Sequence, residues 1–176
     1  MNQILKNNLT EVIPSSEINK RVIEIANDIN SRYYSKSPLV IGVLNGSFIF
    51  FADLVRCLNI DVEVNFIKVR SYSGKQKSNI IKFDFFDFKK IKGKDIIIIE
   101  DIVDTGDTVN KIRNKMINKA NSVAIAALLL KPNKAKLNFE IDWVGFEIPD
   151  EFVVGYGLDY NQKFRNLKSI YQGIEI

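Results

Sequence analysis

No histidine occurs among the 176 residues. Histidine-based acid–base catalysis and histidine metal sites are therefore excluded, and proton transfer near neutral pH falls to carboxylates, lysines, tyrosines or the backbone. Cysteine is almost as scarce: Cys57 is the only one. That rules out an internal disulfide and fits a reducing, cytoplasmic setting, with the thiol itself reading as a small apolar residue on a helix. No stretch approaches the roughly 20 apolar residues that span a bilayer. The opening residues, Met-Asn-Gln-Ile-Leu-Lys-Asn-Asn, have no apolar core of a secretion leader. The G-x-x-x-x-G-K-[ST] pattern of a triphosphate-binding loop is missing as well. Without repeats, linkers or low-complexity blocks, the expectation is one domain over residues 1–176.

The content that is present is that of an ordinary globular chain, 46% hydrophobic and 26% charged, long enough for a full core. A net charge of +4 raises the question of nucleic acid. The lysines and arginines are scattered, however, and form no basic stripe, so nucleic acid is not expected as a partner. The densest group, Lys89, Lys90, Lys92 and Lys94 around Gly93, reads as a solvated turn between strands.

Apolar periodicity supplies the elements. Pro14-Ser15-Ser16-Glu17 predicts a helix start with a Ser cap, followed by Ile18, Val22, Ile25, Ala26 and Ile29 at helical spacing. Residues 39–44 read as a strand, closed by Asn45-Gly46-Ser47, and residues 48–58 as a helix. Residues 61–70 read as another strand with Val62, Val64 and Phe66 on one face, then a polar segment over 71–79 expected to be exposed and mobile, and an antiparallel return over 81–88. A helix over 109–118, a buried strand over 123–130 and short strand-like pieces from 141 onward complete an α/β pattern. The ends of the chain are expected to form a small extra lobe.

The most informative run is Ile96-Ile97-Ile98-Ile99-Glu100-Asp101-Ile102-Val103-Asp104-Thr105-Gly106-Asp107-Thr108. Four β-branched residues in succession predict a strand buried on both faces, as in a parallel sheet. Two carboxylates stand at its carboxyl end, the edge where open α/β sheets bind ligands. The Thr- and Gly-rich turn ahead of a helix can aim N–H groups and hydroxyls at a phosphate, whereas the acids suit hydroxyls or a metal. A lone Asp-Thr-Gly is commonly just a solvated turn that caps a helix. The full run is longer than such a turn needs.

This run resembles the phosphoribosyl pyrophosphate (PRPP) motif of type I phosphoribosyltransferases. The segment over residues 144–160, Val-Gly-Phe-Glu-Ile-Pro-Asp-Glu-Phe-Val-Val-Gly-Tyr-Gly-Leu-Asp-Tyr, looks like the purine-binding hood of hypoxanthine-guanine phosphoribosyltransferases. With Leu44-Asn45-Gly46-Ser47, Ser71-Tyr72 and Lys131, the likeness runs from about residue 38 to the end. It implies a type I phosphoribosyltransferase fold: an α/β structure with a central, mostly parallel sheet flanked by helices, a mobile antiparallel hairpin loop, and a hood from the N-terminal segment and about residues 140–176.

The resemblance also implies roles. Asp104, Thr105, Gly106, Asp107 and Thr108 would bind the PRPP 5-phosphate, with Asp107 contributing its N–H and turning its carboxylate to solvent, since a basic or neutral residue is more usual there. Asp104 would be the catalytic residue, accepting the proton at purine N7. Glu100 and Asp101 would serve the ribose hydroxyls and a Mg2+ ion, and Asp159 a second Mg2+. Lys131 would donate to the purine 6-oxo group, Phe152 would cover the ring, the Val153 backbone would meet the opposite edge, and Ile102 would form an apolar wall. Asn45, Gly46 and Arg165 would contact pyrophosphate; Lys or Arg is frequent at the position of Asn45, and a cis peptide is common in that loop. Ser71 and Tyr72 would belong to a loop that closes over the reacting centre. Trp143 fits no such role and reads as structural.

The implied activity is conversion of hypoxanthine or guanine plus PRPP into IMP or GMP and pyrophosphate, by a homodimer or homotetramer. The competing reading keeps this fold as a PRPP-sensing, nucleic-acid-binding regulator. A same-fold enzyme for xanthine is the other alternative.

Overall fold

The computed structural model describes residues 9–71, 81–84 and 86–173. Its main sheet follows from the apolar runs. β2 (Leu39–Leu44), β3 (Glu63–Ser71), β5 (Asp95–Val103), β6 (Ser122–Leu130) and β7 (Trp143–Glu147) run parallel, and β4 (Ile81–Asp84) pairs antiparallel with the outer edge of β3, in the order β4-β3-β2-β5-β6-β7. The strand with four isoleucines is central, and all four are fully buried. Alternation divides them: Ile97 and Ile99 face α1 (Ser15–Arg32) and α2 (Phe48–Arg56), while Ile96 and Ile98 face α3 (Asp107–Met116). Gly42, within β2, faces the first of these layers, where a Cβ would press on the Phe51 and Phe66 rings.

α1 buries Ile18, Val22, Ile25, Ala26 and Ile29, the stripe its spacing predicts. Its cap differs from expectation. Pro14 is the N-cap, and Ser15 and Ser16 lie inside the first turn. The Ser15 N–H donates to Ser169 Oγ at 3.0 Å, so the capping hydroxyl comes from the far end of the chain. The lysine-rich turn also differs in part. Phe88–Ile91 forms a 3-10 helix whose Ile91 is fully buried, while Lys89 and Lys90 stay in solvent.

A second sheet, β1-β9-β8, joins β1 (Thr10–Ile13), β9 (Ile170–Gln172) and β8 (Val153–Val154) antiparallel. This is the expected lobe from both chain ends, with a narrower boundary: β7 pairs with β6 in the main sheet, so the hood begins after Glu147 and not at 140. Trp143 is buried in β7 beside Tyr33, with the Arg32 guanidinium 5.0 Å from its ring. Among the described residues no helix is long and apolar enough to cross a membrane.

Candidate active site

From β2 the chain crosses through α2 to β3 on one side; from β5 it crosses through α3 to β6 on the other. Strand order therefore reverses between the adjacent β2 and β5, and the loops after these two strands diverge around a crevice. That is where a doubly wound sheet receives its ligand.

The loop after β2 holds Asn45, exposed, and Gly46, buried. The Leu44–Asn45 peptide is cis. Ser47 anchors the loop by donating its hydroxyl to the Val43 carbonyl at 2.6 Å. A Cβ on Gly46 would collide with the Asp101 carboxylate, so the glycine lets this backbone lie directly against the acid.

Glu100 and Asp101 lie inside β5, which continues to Val103. Glu100 is 5% exposed and its Oε2 has no hydrogen-bond partner. Burial, then the adjacent Asp101 charge, push its carboxyl well above the usual range. Asp101 is also raised by burial, against the opposing pull of Glu100, backbone N–H groups and Arg165. Two adjacent acids with an unsatisfied oxygen suit a cation or hydroxyl donors. Among the described residues no group of three or more ligating side chains could hold a metal by itself.

The turn after β5 is built for an anion. Gly106, at φ 86°, caps α3 and sits so close to Leu137 that a Cβ would not fit. The first intrahelical bond runs from the Asn110 N–H to the Gly106 carbonyl at 3.0 Å, so the earlier N–H groups of the helix have no intrahelical acceptor. Residues 102–109 line a hollow of about 70 Å³. Thr105 and Asp107 are exposed, and the Asp107 N–H donates to Thr105 Oγ1 at 3.3 Å.

A neighbouring hollow of about 260 Å³ is lined by Asp101, Ile102, Asp104, Lys131, Glu151, Phe152, Val153, Leu158 and Asp159. The structure thus brings seven of the residues marked from sequence around one cavity, and Phe152 exposes 44% of its surface at the edge. Its ring meets Tyr160 edge-on at 5.9 Å. Lys131 is buried, 3.1 Å from Asp104 Oδ1 and 3.0 Å from Asp150 Oδ1. Lys134 stands 3.1 Å and 2.8 Å from the same two oxygens. Asp104 Oδ1 is buried and lies within ion-pair distance of both ammoniums.

Arg165 lies at the other rim. It pairs with Asp159 at 2.7 Å and donates to the Gly157 carbonyl at 2.7 Å. Gly157, in turn, is packed on the Gly46 carbonyl, which brings Arg165 to the β2 loop. Ser71 ends β3, and Tyr72 lies outside the described residues.

Lys134 and Asp150 were not marked from sequence. Asp150 stands in the hood segment and Lys134 three residues past Lys131, but ion pairing across 16 or 19 residues leaves no periodic trace. The turn that brings them together is local: Lys134 and Ala135 N–H groups both donate to the Lys131 carbonyl, and Lys136 N–H donates to the Thr105 carbonyl at 2.9 Å.

Comparison with known proteins gives one consistent result. A family described as phosphoribosyl transferase domain matches residues 10–161. The hypoxanthine phosphoribosyltransferase of Escherichia coli K12 is 39% identical over 170 residues, covering 94% of this chain and 96% of that protein. The hypoxanthine-guanine phosphoribosyltransferase of Bacillus subtilis is 41% identical over 174 residues, covering 95% and 94%. A crystal structure of a hypoxanthine phosphoribosyltransferase from Staphylococcus aureus superposes with TM-score 0.89 at 35% identity, covering 98% of this chain and 96% of that one.

Proposed function

The chain belongs to the phosphoribosyl transferase family, and from that premise we propose that it is a purine-salvage enzyme making IMP or GMP from PRPP and hypoxanthine or guanine. The observation that carries the base assignment is the pairing of a buried Asp104 oxygen with the Lys131 ammonium on one wall of a cavity edged by Phe152. A 6-oxopurine offers a ring N–H next to a carbonyl, so it can donate to Asp104 and accept from Lys131 at once. Adenine presents an amino group to Lys131, and donor would meet donor.

In the transfer, the bond from the ribose C1 to the pyrophosphate oxygen breaks and a bond from C1 to a purine ring nitrogen forms. The proton shed by the purine passes to Asp104, and pyrophosphate leaves as the anion. The sugar carbon gains oxocarbenium character on the way, so the protein's work is placement and charge. The Thr105–Thr108 turn would hold the 5-phosphate. The Asn45-Gly46 backbone and Arg165 would receive pyrophosphate, and Ile102 and the Val153 backbone would confine the base.

Glu100, Asp101 and Asp159 are hard oxygen donors, and the unpartnered Glu100 Oε2 fits a cation. They would hold Mg2+, which prefers a few carboxylates together with waters and substrate phosphates, and which supplies charge neutralisation for the leaving pyrophosphate. The same reading takes residues 1–176 as one catalytic domain, active in the cytoplasm as a homodimer or homotetramer, with neither nucleic acid nor membrane as a partner. The relatives named as enzymes favour it over the regulatory alternative.

The test is PRPP- and Mg2+-dependent conversion of hypoxanthine, guanine, xanthine and adenine to nucleotides. Turnover of the first two is expected, lost on chelation of the metal. Binding of PRPP without turnover of any base would instead favour the regulator.

A further inference from the structure

Lys131 and Lys134 share both of their carboxylate partners, Asp104 and Asp150, so two ammoniums and two carboxylates form one closed, neutral set. The two cations differ in place. The Lys131 side chain is 9% exposed and reaches into the base cavity, whereas that of Lys134 is 37% exposed and stands outside it. If Lys131 were the only cation, turning it toward a ligand carbonyl would leave Asp104, half-buried, and Asp150, exposed, facing each other without a counter-charge between them. Lys134 already occupies the same two oxygens.

Building on the reading above, we propose that Lys134 and Asp150 are positioning residues for base recognition. Lys134 carries the charge balance of Asp104 and Asp150 while Lys131 donates to the 6-oxo group, and Asp150 holds the Lys131 ammonium at the reach that favours a carbonyl over an amino group. Neither residue touches the substrate; both act through Lys131 and Asp104. Their own titration agrees with constant charge. The bonds to Asp150 and then Asp104 raise Lys134 above its ordinary value, and those from Lys134 and then Lys131 lower Asp150.

The experiment is two-substrate kinetics on the full chain and its Lys134→Met, Lys134→Arg and Asp150→Asn variants, with circular dichroism and thermal melts alongside. Lys134→Met raises the KM for hypoxanthine about tenfold, several times more than the KM for PRPP. Lys134→Arg, which keeps the cation, recovers most of that loss. Asp150→Asn lowers the ratio of kcat/KM for hypoxanthine over adenine about tenfold. A Lys134→Met enzyme that keeps its KM for hypoxanthine, or loses affinity for both substrates in step with its melting temperature, overturns the proposal while the enzyme reading stands. A wild type that converts none of the four bases overturns the reading and the proposal together.

Discussion

A carboxylate in a dry interior beside a second acid is unfavourable as an anion, and Glu100 is held in that condition next to Asp101 by its place in the central strand. Replacing it by the isosteric Gln removes the charge and keeps the shape, so Glu100→Gln is expected to stabilise the free protein by about 1–3 kcal/mol. The melting temperature rises by roughly 2–4 °C per kcal/mol for a chain of this size. The sign with pH follows from the raised value: the folded state keeps its proton to higher pH than the unfolded chain does. Stability is therefore full below the ordinary glutamate range and declines as pH rises through the folded value. Melts of wild type and Glu100→Gln against pH should show that part of the decline missing in the variant, with Mg2+-dependent turnover reduced. Asp104 is the opposite case, a charge set against two cations. Asp104→Asn removes the proton acceptor proposed above, and kcat is expected to fall by about 10² to 10⁴ in single-turnover assays with PRPP binding largely kept. The acids and the Thr-Gly turn were marked from their spacing after a buried strand, whereas Lys131 and Phe152 were marked only through the family likeness, since alone they read as a loop charge and a core residue. Lys134 and Asp150 were not, because an ordinary lysine and an ordinary aspartate become informative only once their ammonium and carboxylate meet.

At the scale of elements, the strand-turn-helix unit from β5 to α3 was read almost whole, since β-branched residues, acids and a helical stripe change over within a few positions. The α1 cap was misread for a physical reason: Ser15 follows the usual local rule, but Ser169, just before β9, satisfies its N–H from the far end of the chain. The β5–α3 unit also explains why Gly106 matters. A residue with φ 86° and no space for a Cβ beside Leu137 ties the anion turn to the 131–137 loop that carries both lysines. Gly106→Ala is expected to lose about 1–2 kcal/mol from the left-handed backbone alone, with more from the displaced Leu137. The KM for PRPP is expected to rise more than the KM for hypoxanthine, as measured by initial rates, because the turn lines the hollow proposed for the 5-phosphate and not the cavity proposed for the base.

Taken whole, the molecule is two sheets that must meet correctly. The hood sheet pairs Thr10 with Gln172 and Val153 with Gln172, contacts between the two ends of the chain and strands as short as two residues. Such pairing has too little periodicity to be read locally, which is why the lobe was legible from family likeness and its boundary was not. The hood reaches the main sheet where Gly157, at φ 103°, lies against the Gly46 carbonyl while its own carbonyl accepts from Arg165. On the hood side Arg165 holds Asp159; on the sheet side Gly46 presses on Asp101. One glycine contact therefore sets the spacing between two acids, Asp101 and Asp159, each proposed above for its own Mg2+ ion. A methyl at Gly157 would drive these halves apart without entering either core. Gly157→Ala should keep the far-UV spectrum of the α/β sheet and lower kcat/KM by about 10²-fold, the cost of displacing reacting groups by about 1 Å. Raised Mg2+ should recover part of the activity if the spacing of the acids is what was lost. Unchanged kinetics would mean that hood and sheet are aligned by other contacts.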